Sequence, residues 1–140
     1  MKADLKTLIN VDKAIDPVVA TNNTAQTSAI IDTKGFESLT FVIAVGTIED
    51  SDAVLTPSLV DGDDSGLSDT AAVADEFLIG TEAEATFTAA DDNEVRWIGY
   101  SGNKRYVRLT LTPSANTGNL PMSAVAVKGS PLSAPTTIDS

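Results

Sequence analysis

Glu94-Val-Arg96-Trp97-Ile-Gly99-Tyr100-Ser-Gly102-Asn-Lys104-Arg105-Tyr106-Val-Arg108-Leu-Thr110-Leu-Thr112 is the stretch on which the fold turns. Val95, Trp97 and Gly99 alternate with Arg96, Ile98 and Tyr100. After Ser101-Gly102-Asn103 the alternation resumes, with Val107, Leu109 and Leu111 opposite Tyr106, Arg108 and Thr110. A period of two in β-branched and aromatic residues marks half-buried strands. Gly and Asn between them tolerate positive φ, so residues 94–112 read as a β-hairpin. On this reading Trp97 shares the Val95 face and points into the core.

The same period extends outward. Leu39, Phe41, Ile43 and Val45 form one face of residues 38–45, with Ser38, Thr40, Val42 and Ala44 on the other. Residues 54–60 make a weaker strand, which Pro57 pushes toward a sheet edge. Ala85 and Phe87 alternate with Glu84, Thr86 and Thr88, and Val125 and Val127 alternate with Ala124, Ala126 and Lys128. Short strands at roughly ten-residue spacing with turn signals between them predict an all-β fold, an antiparallel β-sandwich of jelly-roll-like type. The one helix-like pattern is in residues 3–16, where Leu5, Leu8, Ile9 and Ile15 fall near one stripe and Pro17 stops the run. The expected organisation is an N-terminal arm or short helix with its linker over 1–27, a sandwich over 28–131 and an extended tail over 132–140.

Composition narrows the function. The chain of 140 residues has neither Cys nor His, which removes thiol chemistry, disulfides and the commonest general base and metal ligand. Nine basic against twenty acidic residues give a net charge of −11, a field that repels phosphate backbones. The N-terminus carries no secretory pattern, and the longest strongly apolar run, Phe41 to Val45, is far short of a membrane span. The expectation is therefore a protein that is not an enzyme, takes no cofactor or metal, and engages neither nucleic acid nor membrane.

Charge is segregated. Fourteen acidic residues and no Lys or Arg lie between Glu49 and Glu94, and then Arg96, Lys104, Arg105 and Arg108 follow within thirteen positions. These cations either balance acidic neighbours inside the fold or form a contact surface. Asp61-Gly-Asp63-Asp64-Ser65-Gly66 starts like a calcium loop, but Ala72 stands where the bidentate Glu is needed and no helices flank it. Asp64-Ser65-Gly66 lacks the buried strand end that an aspartic protease triplet requires. Asp91-Asp92 reads as turn chemistry.

Asp32-Thr-Lys-Gly35-Phe36-Glu37-Ser38-Leu-Thr40-Phe41-Val42 with Gly46-Thr47, the Trp97 to Arg108 segment, and Ala124-Val125-Ala126-Val127-Lys-Gly129 with Pro131 together resemble small structural proteins of tailed phages and prophages. The type is the head decoration, or cement, protein. That resemblance spans roughly residues 30 to 131. It implies a protein on the outside of the expanded capsid, assembled in the bacterial cytoplasm, with the major capsid protein and itself, as a homotrimer, for partners. The lattice contact would come from Arg96, Lys104, Arg105 and Arg108, or from the arm residues Leu5, Leu8 and Ile9. The alternatives are a head–tail joining or tail protein, and a glycan-binding adhesion module on the virion.

Overall fold

A computed structural model describes residues 1–138; the last two residues of the expected tail, Asp139 and Ser140, lie outside the described residues. The strands are β1 (Asn10–Ala20), β2 (Gln26–Thr27), β3 (Ile31–Asp32), β4 (Phe36–Val45), β5 (Val54–Gly62), β6 (Ala71–Ala72), β7 (Leu78–Ile79), β8 (Phe87–Thr88), β9 (Val95–Tyr100), β10 (Tyr106–Ser114) and β11 (Leu120–Pro131). Among the described residues the helical content consists of single 3₁₀ turns at Lys6–Leu8, Asp75–Phe77 and Ala89–Asp91, and no helix is long and apolar enough to cross a membrane.

The fold is an all-β antiparallel sandwich of jelly-roll-like type, as the alternation predicts. One sheet has the order β1-β11-β4-β9-β7; the other has β2-β10-β5-β6, with β3 also on β10 and β8 also on β5. Long strands switch sheets at each step: β4 and β9 lie in the first, β5 and β10 in the second, and β11 returns to the first. Each strand therefore needs one buried face, and the core forms where those faces meet. Leu39, Phe41, Ile43, Ile98, Ala124 and Ala126 face Leu55, Leu59, Phe87, Val107, Leu109 and Leu111, and each of these is at most 3% exposed.

Residues 94–112 are two strands but not a hairpin. β9 pairs with β4 and β7, whereas β10 pairs with β5, β2 and β3 in the opposite sheet. The Gly-Asn turn is a corner between layers. Tyr100, at the end of β9, donates its hydroxyl to Asp61 on β5 at 2.7 Å and accepts the Lys104 backbone N–H at 3.0 Å, so the corner is tied to both sheets. Gly102 passes directly over this ring: a Cβ there would lie 2.4 Å from the Tyr100 hydroxyl. Turn residues permit a hairpin and a corner alike; the difference is set by which neighbour each strand finds.

The N-terminal segment also departs from its expected form. Beyond the Lys6–Leu8 turn it is the edge strand β1, paired with β11 from Asn10↔Lys128 to Ala20↔Leu120. Two register shifts, between Lys13 and Ile15 and between Ile15 and Val18, break the alternation. A bulge resets which face a strand presents, so burial falls at Asn10, Ala14, Ile15, Val18 and Ala20 in a spacing that imitates a helix. These bulges and Pro17 also blunt an otherwise open sheet edge. The small polar residues that follow form an ordered corner. The Asn116 side-chain amide, 2% exposed as a residue, donates to the carbonyls of Ala20 and Asn22, and its backbone N–H donates to the Asn23 side chain. At the other end, Thr136 donates its backbone N–H to Thr7 and its hydroxyl to the Ile9 carbonyl, so the tail runs back along the arm.

Candidate association surface

Each strand of the five-stranded sheet has a second face, and this one is bare. On β4 the inward residues are Leu39, Phe41, Ile43 and Val45, which leaves Ser38, Thr40, Val42 and Ala44 outward. On β11 the outward set is Pro121, Ser123, Val125, Val127 and Gly129. Register lines these up into rows. Lys13, Val125, Val42 and Trp97 form one row; Val11, Val127, Thr40, Gly99 and Ile79 form the next; Ser123, Ala44 and Val95 form a third. Trp97 is 67% exposed, Ile79 62%, Val11 52% and Val95 51%.

Trp97 is thus not a core residue, contrary to the expectation from its alternation. β9 turns Arg96, Ile98 and Tyr100 inward instead. The Arg96 guanidinium stacks over the Phe87 ring at 5.3 Å, donates to the Thr86 carbonyl at 2.6 Å and pairs with Asp91 at 2.8 Å. A long cation can lie inward at a sandwich rim because its stem packs while its head finds carbonyls and a carboxylate. Trp97 then takes the outer row beside Val42.

The notable property of this face is what it lacks. No Asp or Glu occupies an outward position of β4, β9 or β11, in a chain carrying twenty of them. Lys13 is the one charge in the regular rows, and Asp16 neutralises it at 2.8 Å. Acidic residues gather in the loops, where they hold backbone. Asp64 accepts the N–H groups of Gly66 and Ser68, and Asp69 accepts those of Asp63 and Asp64; these bonds hold both carboxyls below the usual range. Asp91 does the same for Thr88 in a capping box. Among the described residues, no group of three or more acidic side chains is arranged around a common ion position.

The four clustered cations do not form one patch. Arg96 serves the β9 rim as above. Lys104 pairs with Asp63 at 2.8 Å, and Arg105 makes a two-bond fork to Asp32, 2.8 Å at each contact. That fork is the main reason the Asp32 carboxyl is held down to about 2. Arg108 lies on the outer face of the other sheet, opposite Val60, and its buried Nε has no hydrogen-bond partner among the described residues. The arm residues sit elsewhere. Leu5 and Leu8 are 65% and 44% exposed, and Leu5 and Ile9 line an apolar hollow of about 500 Å³ with Val11 and Ile138. Val11 belongs to both the hollow and the sheet face, so the two surfaces are continuous.

The sheet face escaped sequence reasoning, although a signal was present. β4 and β11 carry apolar or small residues on both faces, a pattern typical of strands covered on both sides.

No family model matches the chain, and no curated protein matches it. Solved structures do show likeness. The SPBc2 prophage-derived protein YomS is 12% identical, with a TM-score of 0.49, over 89% of this chain and 99% of that one. The CBM36-1 domain of a multidomain xylanase from the hindgut metagenome of Trinervitermes trinervoides is 9% identical, with a TM-score of 0.47, over 87% and 98% of the respective chains. The C-terminal family 22 carbohydrate-binding module of Clostridium thermocellum Xyn10B is 12% identical, with a TM-score of 0.46, over 88% and 82%. The similar structures thus include a prophage-derived protein and carbohydrate-binding modules.

Proposed function

We propose that this chain is a structural protein of a phage virion that attaches to the outer surface of the expanded capsid and reinforces it by binding alone, with the major capsid protein as partner. The observation that supports this reading is a continuous, largely apolar surface, sheet face plus terminal hollow, on which Asp16 is paired with Lys13, on a body of charge −11. Such a division suits a protein that shows acid to solvent and an uncharged side to its neighbours. Particles coated this way repel one another. Reinforcement follows from linkage: a ligand that binds only the expanded lattice stabilises it, by about 2.7 kcal/mol per site at a hundredfold excess over Kd. Many weak attachments add up through effective concentration.

Of the two contact sets, the arm is the better supported. Leu5 and Leu8 are exposed, whereas Arg96, Lys104 and Arg105 each have an acidic partner within the fold. The test is co-sedimentation with heads that lack the protein, expanded and unexpanded. Saturable binding to expanded heads, weakened by Leu5→Asp with Leu8→Asp, is the expected result. Absence of binding to both forms would sink the proposal. A second reading, a glycan-binding adhesion module, draws on the exposed Trp97, whose flat ring could stack on a sugar. Glycan-array binding that is lost in Trp97→Ala would favour it.

A further inference from the structure

We propose that the outer face of the five-stranded sheet is where two copies of this chain meet. This does not depend on the virion reading, because it concerns the isolated protein. Three observations converge on a second copy as occupant.

The first is electrostatic. Two chains of charge −11 repel wherever acidic loops oppose each other. The outward rows of β4, β9 and β11 carry no acid, and the Lys13–Asp16 pair adds no net charge. Two copies can therefore approach over the β4, β9 and β11 rows without opposing carboxylates, with Asp16 of β1 already paired to Lys13.

The second is geometric. Val125, Val42 and Trp97 in one row and Val127, Thr40, Gly99 and Ile79 in the next make a pleated surface of β-branched ridges. A sheet of this kind packs on another like it at about 10 Å with strands inclined by about 30°. A two-fold axis through the face makes the same patch serve both partners, as an isologous interface requires.

The third is area. Scaled by ordinary side-chain areas, the exposed parts of Trp97, Ile79, Val11, Val95 and Val125 amount to roughly 500 Å² of apolar surface. Two such faces total about 1,000 Å², the lower bound for a specific interface. That predicts a reversible pair that is concentration-dependent.

The sole tryptophan of the chain ends the row that runs through Val125 and Val42, at the β9 side of this face, and reports on it. Sedimentation equilibrium of the purified protein should show the mass rising with concentration from 14.5 kDa toward twice that value. Trp97 emission should shift to the blue over the same range. Val42→Asp should weaken association at least tenfold. Trp97→Ser, at a position already open to solvent, gives the same readout by mass should the Asp variant not fold. Thr110→Asp, on the outer face of the other sheet, should leave the association unchanged. A mass of 14.5 kDa at every concentration would overturn the proposal. So would association indifferent to Val42→Asp and Trp97→Ser, or a limiting mass three times that of the chain. Head co-sedimentation reads the virion proposal separately, so either can fail alone.

Discussion

Removing one oxygen, by Tyr100→Phe, tests whether the corner between β9 and β10 holds the two sheets together. The hydroxyl donates to the half-buried Asp61 carboxylate at 2.7 Å and accepts the Lys104 backbone N–H at 3.0 Å. A bond to a charged group contributes about 1.5–3 kcal/mol, and water can reach Asp61 once the phenol is gone, which places the loss near the lower end. With the stranded Lys104 N–H added, the total is about 2 kcal/mol. For a urea dependence of about 1–3 kcal/mol per molar, the unfolding midpoint should fall by about 1 M. Circular dichroism is the assay, since Trp97 is too exposed to report on core loss. The variant also removes a pH dependence. Burial, aided by Asp61, pushes the Tyr100 phenol above its usual range. The folded state then keeps a proton that the unfolded chain releases above about pH 10, so this stabilisation is complete below that pH and is lost as pH rises. Wild type should therefore lose stability more steeply than Tyr100→Phe in alkali. A midpoint unchanged within about 0.2 M, or equal alkaline slopes, would refute the argument.

Adjacent positions on β4 should behave in opposite ways. Phe41→Ala, at a fully buried site, should cost about 3–5 kcal/mol in urea unfolding, while Val42→Thr on the outer row should cost less than about 1 kcal/mol. At Gly99 a Cβ would lie 2.9 Å from the Ile79 Cβ, so Gly99→Ala should cost about 1–2 kcal/mol. Adding Ile79→Gly, which removes that Cβ, should offset most of that in the coupling read by a double-mutant cycle. Asp32, held down to about 2 chiefly by Arg105, stabilises the fold above the unfolded carboxyl value near 3.9, and that contribution disappears as pH falls toward 2. Both partners are 45% exposed, so solvent screening limits the effect to about 1 kcal/mol. Arg105→Ala should flatten the acid dependence in that window and move the Asp32 titration upward by NMR.

How far the fold can be read from the sequence depends on what each strand's two faces carry. β4 is legible because Leu39, Phe41, Ile43 and Val45 outweigh Thr40, Val42 and Ala44 in bulk, and bulk goes inward. β9 is not, because Trp97 and Val95 compete with Ile98 and Tyr100; the choice falls to Arg96, which finds Phe87 and Asp91 at the rim. β1 is disguised because Leu5, Leu8 and Ile9, which precede it, complete a helical stripe with Ile15, while its bulges leave no clean period of two. The corner after Tyr100 is a matter of tertiary pairing, and Gly102-Asn103 serves either outcome. The charge segregation is visible in the sequence. Its consequence is not, because the pairing of Arg105 with Asp32 joins residues 73 positions apart. The association face becomes visible once register sets Val125, Val42 and Trp97 side by side.

Association through the outer face of the five-stranded sheet would cover Trp97. Acrylamide quenching of Trp97 measures that directly, comparing dilute protein with concentrated protein. Trp97 should be freely quenched in the dilute state, as 67% exposure requires, and strongly protected when copies associate. Equal quenching in both states would contradict it.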